Sequence, residues 1–248
     1  MAAFDRPEDF YATYDVFKIY ERPSLKAKHI RWFDAEFWRP AACDARMTFL
    51  EIGCGTGQFM MYLRHKGASR FIGIEPDGRA VAAMEPDLSA RVAVEDIWQW
   101  FERSSPAEPF DRVAMLDVLE HFSPVDGVRL LRMIRRVLKE AGSIVVRVPN
   151  VASPWGQQHQ FSDLTHKAAY TPGSLRQLCL AAGYDCVMIF GQRRGSPMRR
   201  LTEDLLHRIL ARLLTEPPVI WSANMIAILK PRSTALESKP NPDKARDQ

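Results

Sequence analysis

Paired cysteines are missing from this chain of 248 residues. Its four cysteines show no CxxC pair and no zinc-ligand spacing, so they are expected to be free thiols in a reducing compartment. The N-terminus lacks the basic and apolar regions of a secretory signal, and no run approaches the roughly 18 apolar residues of a membrane span. We therefore expect a soluble, cytoplasmic protein.

A strong excess of charge of either sign is also lacking. The chain has 34 basic and 30 acidic residues, and this mild balance neither requires nor excludes a nucleic-acid partner. It contains no internal repeat and no low-complexity tract. Hydrophobic residues make up 46% and charged residues 26%, which is enough to bury the core of one α/β domain with additions.

Apolar runs and helical segments alternate between residues 47 and 150. A long amphipathic helix is predicted over residues 124–142, and a shorter one over residues 77–84. This alternation predicts a parallel, doubly wound sheet with helices on both faces. The five predicted strands are MTFLEI, RFIGIE, RVAVE, FDRVAMLDV and SIVVRVPN.

The predicted main domain covers residues 47–230, with additions before, within and after it. Residues 1–46 are rich in aromatics and are expected to form a helical cap or lid, with a helix from Ser24 to Trp38. Residues 150–171 form a polar, histidine-bearing loop suited to a substrate, and residues 195–217 a helical insertion. Late strands follow in YDCVMIF and WSANMIAILK, and the tail 231–248 is expected to be disordered.

Three glycines alternate in the stretch FLEIGCGTGQF, at Gly53, Gly55 and Gly57, between a strand and a helix. In this place the usual reason is close approach of a ligand to the backbone. The spacing is neither GxGxxG nor a phosphate loop ending in Gly-Lys-Ser/Thr. Glu75 ends the second strand and could accept both hydroxyls of a ribose, while Asp96 follows the third strand and could accept from an adenine amino group. A tight turn without ligand, and helix caps at the two acids, are the alternatives.

These motifs together resemble those of class I S-adenosylmethionine-dependent methyltransferases, over roughly residues 47–190. The resemblance implies a Rossmann-like sheet of seven strands, with the last one antiparallel. It implies that Glu51 orients the amino group of the cofactor and that the glycines approach its methionine part. Glu75 would then hold the ribose, and Asp96 with Ile97 would bracket the adenine. Asp117, at the same mouth of the sheet, is assigned to this cofactor site.

The stretch DVLEH places Asp117, Glu120 and His121 directly after the fourth strand, and His166 follows the fifth strand in DLTHKAAYT. Carboxylates and imidazoles from neighbouring strand ends could bind Mg²⁺ or Mn²⁺. The pattern is similar to the metal site of small-RNA 2′-O-methyltransferases and, in part, to ubiquinone-pathway O-methyltransferases. Their first residue is usually Glu, so Asp117 is left out of the predicted metal ligands, which are Glu120, His121 and His166. Without a metal, His121 or His166 could be the general base; His159 is a weaker candidate.

The segment VPNVASPWGQQHQFSDLTHKAAYTPGSLRQLCLAAGYD resembles bacterial methyltransferases of polysaccharide and lipopolysaccharide biosynthesis clusters. The resemblance implies O-methylation of a sugar or glycan hydroxyl. Asn150 and Asp163 could hydrogen-bond a polyol, and Trp155 and Tyr170 could present a face to a sugar ring, although Tyr170 could instead pack under the next helix. Methylation of a quinone or phenol, and a non-catalytic cofactor-binding partner module, are the alternatives.

A basic helix is predicted over residues 196–216, with leucines at helical spacing beside four arginines. The leucine stripe predicts packing in the core or in a homodimer. The second interpretation is a surface for an anionic glycolipid or membrane. No aromatic residues interleave with the arginines, so a nucleic-acid partner is not expected.

Overall fold

The computed structural model describes residues 5–16, 20–103 and 108–232 and is built on one seven-stranded sheet. The strand order is β3-β2-β1-β4-β5-β7-β6. Strands β1 to β5 pair in parallel, and β7 runs antiparallel to both of its neighbours, β5 and β6, as predicted. The strands are β1 (Thr48–Ile52), β2 (Arg70–Ile74), β3 (Val92–Ala93), β4 (Phe110–Leu116), β5 (Leu138–Pro149), β6 (Tyr184–Gly191) and β7 (Asn224–Pro231).

Helices cover the sheet and connect its strands. A 3₁₀ segment spans Pro7–Val16, a π-helical turn spans Asp34–Trp38, and a short 3₁₀ turn spans Leu119–His121. Among the described residues, no helix is long and apolar enough to cross a bilayer. The α-helices are α1 (Ala27–Phe33), α2 (Gln58–His65), α3 (Gly78–Ala82), α4 (Pro86–Ser89), α5 (Ile97–Arg103), α6 (Pro124–Arg135), α7 (Pro154–Phe161), α8 (Pro172–Ala181) and α9 (Pro197–Leu213).

The central strands bury both of their faces, which confirms the doubly wound arrangement. Successive side chains of a strand point to opposite faces, and here they enter two separate cores. Leu50 and Val113 belong to one cluster, whereas their neighbours Phe49 and Ala114 belong to the other. Continuous apolar strands of this kind are typical of parallel sheets covered on both sides.

The aromatic N-terminal region completes one of these cores. The ring of Phe33 lies 5.2 Å from that of Phe59 on α2, and the ring of Phe37 lies 4.6 Å from it. The hydroxyl of Tyr62 donates to Asp34 at 2.6 Å. Helix α1 and the π-helical turn are therefore packed against α2, while a lid role for residues 1–46 stays a prediction.

Four predicted elements differ in the structure. Helix α6 ends at Arg135 rather than at residue 142, because Leu138 already pairs with Phe110 of β4 and extends β5 toward the N-terminus. The loop 150–171 contains helix α7, which Ser153 caps. The cap of α1 is Lys26, not Ser24. The stripe on the basic helix, α9, contains no buried residue, so its predicted core packing is wrong. Residues 233–248 of the predicted tail lie outside the described residues.

Candidate active site

The glycine turn follows β1 at the carboxyl edge of the sheet. The backbone N–H groups of Gly53 and Cys54 donate to the carbonyl of Ile74, at 2.8 and 3.2 Å, and so fix the turn to the end of β2. Gly53, Gly55 and Gly57 have φ angles of +69°, +54° and +83°, which favour glycine. A Cβ at Gly53 would lie 2.6 Å from Val118, whereas one at Gly55 would point into open space. The backbone at Gly55 is therefore accessible to a ligand.

Two carboxylates converge on this turn. Within the described chain, Oε2 of the buried Glu51 has no hydrogen-bond partner. Burial and then the charge of Glu75 raise the pKa of Glu51 well above its usual value. Glu75 accepts from the backbone N–H groups of Gly55, at 2.8 Å, and Asp77, at 3.0 Å. A cationic ligand at this place would offset the repulsion between the two acids.

Asp96 and Ile97 lie at the start of α5, after β3. Asp96 is exposed, and its Oδ1 accepts from the backbone N–H of Trp98 at 2.7 Å, as in a helix cap. Ile97 is buried in the core cluster that contains Ile74. The adenine-binding role of both residues stays a prediction.

Asp117 directly follows β4 and has a φ of +61°, unusual for a residue with a side chain. Its carboxylate forms two hydrogen bonds with Arg147 of β5, at 2.8 Å to Nε and 2.5 Å to Nη2. Burial alone would raise the pKa of Asp117, but the charge and hydrogen bonds of Arg147 hold it below its usual value. Arg147 also contacts the buried Glu36, at 3.2 Å. Sequence reasoning missed Arg147, although a charge within the apolar run SIVVRVPN was a usable signal.

Glu120, His121 and His166 come together beside this pair. Glu120 is fully buried, and neither of its carboxylate oxygens has a hydrogen-bond partner in the part of the chain that the structure describes. Burial, and then the charge of Asp117, raise its pKa well above the usual value. The rings of His121 and His166 meet edge to face with centroids 4.7 Å apart. One ligand atom from each of the three residues lies within 4.8 Å of the others.

Neighbouring groups orient both imidazoles. Nδ1 of His166 lies 2.8 Å from the carbonyl of Gln160 and must donate to it, so the lone pair of the neutral ring is on Nε2. The hydroxyl of Thr165 donates to Asp163 at 2.5 Å and can therefore accept from Nδ1 of His121 at 3.0 Å. Thr165 and the hydroxyl of Tyr11, at 3.1 Å, both contact Nδ1 of His121 and so hold the orientation of its ring.

Sequence reasoning missed Gln160 and Thr165. Gln160 acts through its backbone carbonyl, which leaves no signal in the residue type. Thr165 stands inside the motif DLTH, where its spacing from Asp163 was a usable signal.

The predicted sugar-binding residues are only partly available. Asn150 is buried and donates to the carbonyls of Ile220, at 2.8 Å, and Ser222, at 3.2 Å. Tyr170 is buried beneath α8. The ligand roles predicted for these two residues are therefore wrong, because both are committed to the interior. Trp155 is 48% exposed, and His159 lies exposed on α7.

The N-terminal segment lies against both sides of the site. The hydroxyl of Tyr11 is 3.1 Å from Nδ1 of His121, and Glu8 forms an ion pair with Lys167. Farther along the chain, the hydroxyl of Tyr20 donates to Asp77 at 2.7 Å, next to the glycine turn. These contacts bring N-terminal residues to the histidine cluster and to the region of the glycine turn.

Residues 21–189, more than half of the chain, match the protein family described as "Methyltransferase domain". This is the segment that carries the glycine turn, the two carboxylates and the paired imidazoles. The chain belongs to this methyltransferase family. A turn lined by carboxylates and without a phosphate loop agrees with the S-adenosylmethionine cofactor that the motifs predict.

Curated relatives of the methyltransferase are long proteins. The chain is 33% identical over 102 residues to peramine synthetase ppzA of Metarhizium majus, a match over 36% of the chain and 4% of the relative. The same protein from Metarhizium rileyi is 38% identical over 101 residues. The chain thus spans only a few per cent of the length of these relatives.

Solved structures share the fold. A SAM-dependent methyltransferase from Archaeoglobus fulgidus is 22% identical, with a TM-score of 0.63, over 88% of this chain and 99% of that one. The O-methyltransferase NcsB1 from neocarzinostatin biosynthesis, solved with S-adenosylmethionine and 2-hydroxy-5-methyl naphthoic acid, is 15% identical with a TM-score of 0.55. The latter match covers 90% of this chain and 60% of NcsB1. At these identities the likeness shows the fold alone.

Proposed function

We propose that the methyltransferase O-methylates a hydroxyl group of a sugar or glycan. The observation that carries the proposal is the pair of oriented imidazoles, His121 and His166, beside the glycine turn. An amine acceptor needs only to be neutral, whereas a hydroxyl must lose its proton to become a good nucleophile. Two imidazoles directed through their hydrogen bonds suit an acceptor that has to be deprotonated.

The residues of the glycine turn hold the methyl donor. S-Adenosylmethionine supplies a methyl group on a sulfonium, and the chain needs only to align it with the acceptor. Glu51 provides an unpartnered carboxylate oxygen for the ammonium group, and Gly55 leaves room beside its backbone. Glu75 would exchange its contact with the N–H of Gly55 for the ribose hydroxyls.

The transfer is a single displacement. The acceptor oxygen forms its bond to the methyl carbon as the carbon–sulfur bond breaks, and S-adenosylhomocysteine leaves as a neutral thioether. The acceptor proton passes to Nε2 of His166 or to the imidazole of His121. Hydrogen bonds to Gln160 and Thr165 hold the two rings and thereby reduce the cost of reaching this geometry.

The same residues could hold a divalent cation. Glu120, His121 and His166 offer one carboxylate and two imidazoles within 4.8 Å, and both oxygens of Glu120 are without partners in the described chain. The carboxylate suits Mg²⁺ or Mn²⁺, while the two imidazoles favour Mn²⁺ of this pair, and the burial of Glu120 favours binding of a cation by its carboxylate. A cation there would lower the pKa of a bound hydroxyl.

The choice of a sugar over a phenol rests on the acidity of the acceptor. An alcohol is a far weaker acid than a phenol, and the buried carboxylate with two imidazoles provides more activation than a phenol requires. The phenolic alternative is favoured by a different observation, since NcsB1 was solved with a hydroxynaphthoic acid. A sugar acceptor would place the reaction in polysaccharide biosynthesis, and the four free cysteines agree with a cytoplasmic setting.

The cofactor claim is tested by calorimetry with S-adenosylmethionine. In Gly55→Arg, a large side chain would enter the open space at the turn at a φ of +54°, so we expect binding to be lost. Gly173→Arg is the control, since Gly173 is exposed on α8 without a positive φ. Equal binding by the wild type and by Gly55→Arg would refute the assigned cofactor site.

The acceptor claim is tested by methyl transfer from radiolabelled S-adenosylmethionine. Sugar nucleotides and catechols are offered separately, and the methylated product is identified by mass. We expect label in an O-methyl sugar. Label in the catechols alone would replace the sugar by the phenolic alternative, and a methyl group found on a nitrogen atom of the product would overturn O-methylation.

A further inference from the structure

Helix α9 is attached to the protein by its polar face. The ring of His207 stacks on Trp221 at 4.8 Å with an interplanar angle of 11°, and its Nε2 accepts from Nε1 of Trp155 at 3.1 Å. Asp204, one turn from His207, forms an ion pair with Arg193 at 2.5 Å. The side that most amphipathic helices turn to solvent is therefore the side that faces the protein.

The apolar face of α9 consequently points outward. At about 3.6 residues per turn, its large apolar residues form one stripe on the side opposite His207. Their exposed fractions run from 47% at Ile209 to 76% at Leu213. No residue of α9 is buried against the described part of the chain. The stripe consists of Met198, Leu201, Leu205, Leu206, Ile209 and Leu213.

Arginines lie along both borders of this stripe. Arg208 and Arg212 lie one turn apart on one border of the stripe, and Arg199 lies near its other border. None of the three forms an ion pair with a described residue. Of the two acids on the helix, Asp204 pairs with Arg193, and Glu203 lies beside it on the half of the helix that carries His207, away from Arg208 and Arg212. An apolar strip bordered by free arginines is complementary to anionic lipid headgroups above an acyl layer.

We propose that α9 docks the protein on an anionic phospholipid membrane surface, with the helix lying in the plane of the interface. The leucines would enter the headgroup boundary, and the arginines would contact phosphates with their stems along the apolar layer. A second copy of the chain suits this face less well. A two-fold contact through the stripe would bring Arg208 and Arg212 of both copies to the interface, whereas Glu203 lies on the opposite side of the helix.

The test measures partition of the full chain onto vesicles by flotation. The two lipid mixtures are phosphatidylcholine alone and phosphatidylcholine with phosphatidylglycerol. We expect binding to the anionic vesicles only, weakened by salt. Removing each arginine should reduce the partition about fivefold, so Arg208→Gln with Arg212→Gln should reduce it roughly 25-fold. Leu205→Gln with Ile209→Gln should also abolish most binding.

The control variants remove the same kinds of side chain from another part of the surface. Arg135→Gln with Arg136→Gln removes two exposed arginines from α6, and Val125→Gln removes an exposed apolar side chain there. All these positions lie on the surface, so the variants should remain folded by circular dichroism. Equal losses in the controls, binding to neutral vesicles, or no binding would overturn the proposal. So would a stable dimer in sedimentation velocity that the Leu205→Gln and Ile209→Gln changes dissociate.

Discussion

The ionisation state of Glu120 is decided by its burial. A fully buried carboxyl whose two oxygens lack partners in the described chain is costly in its ionised form. It avoids that cost either by remaining protonated or by facing a cation. With a bound cation, His121 and His166 would supply the other two ligands. With a protonated Glu120, they would act as general bases.

If Glu120 binds a metal ion, the ion should stabilise the fold, and this effect can be measured separately from activity. We expect Mn²⁺ to raise the melting temperature of the wild type but not of Glu120→Gln, because the amide keeps the shape of the side chain and loses its charge. His159→Gln is the control, since this exposed histidine lies outside the cluster. Melting is followed by calorimetry with EDTA-treated protein.

The same variants are then assayed for methyl transfer. EDTA should lower the rate of the wild type, and His166→Ala should lower it by about 10²-fold or more. Activity that survives both EDTA and His166→Ala would end the metal proposal. A rise in melting temperature shared by Glu120→Gln would remove Glu120 from the ligand set.

At the scale of elements, regular patterns predicted the sheet better than they predicted where helices end. The strands around Leu50, Val113 and Val146 are short, apolar and bounded by turns, so their type and order could be inferred. The end of α6 could not. The apolar spacing continues past Arg135, but pairing of Leu138 with Phe110 converts the next residues to strand. Helix periodicity carries no information about a neighbouring strand.

Helix α9 shows a second limit of the same kind. The spacing of its leucines predicted an amphipathic helix correctly, yet amphipathicity does not say which face meets the protein. That choice depends on His207, which stacks on Trp221 and bonds Trp155. These partners lie in other segments of the chain, and no local pattern connects them.

Asp111 of β4 connects β1 and β5, and its contribution to the stability of the fold should depend on pH. The carboxylate of Asp111 accepts from the backbone N–H of Thr48 and from Nζ of Lys139, both at 2.8 Å. Burial alone would raise the pKa of Asp111, but these hydrogen bonds hold it below its usual value. The ionised form therefore stabilises the fold above the unfolded-state pKa, and this contribution is lost as the pH falls through the lower folded-state value.

Asp111→Asn should accordingly lower the free energy of unfolding by about 1 kcal/mol at neutral pH. The difference from the wild type should shrink as the pH falls below about 4. Urea unfolding at several pH values measures it, with the exposed Glu140→Gln as the control. A difference that stays constant over this range would mean that Asp111 does not stabilise the fold through its charge.

For the whole molecule, distant segments meet at one ion cluster. Arg147 of β5 pairs with Asp117 after β4 and with Glu36 from the N-terminal region. Gln192, after β6, donates to the same oxygen of Glu36 at 3.0 Å. The cofactor motif could be read from consecutive residues, whereas this cluster could not, because its members are up to 156 positions apart.

Removing Glu36 therefore tests whether the N-terminal region is a fixed part of the catalytic domain. In Glu36→Ala, Arg147 remains buried with Asp117 as its partner and loses one of its two acids. We expect the free energy of unfolding to fall by about 3 kcal/mol, and methyl transfer to slow because Asp117 borders the acceptor cluster. The exposed Glu21→Ala is the control. Urea unfolding that is unchanged in Glu36→Ala would show that the cluster is not a structural connection between the N-terminal region and the sheet.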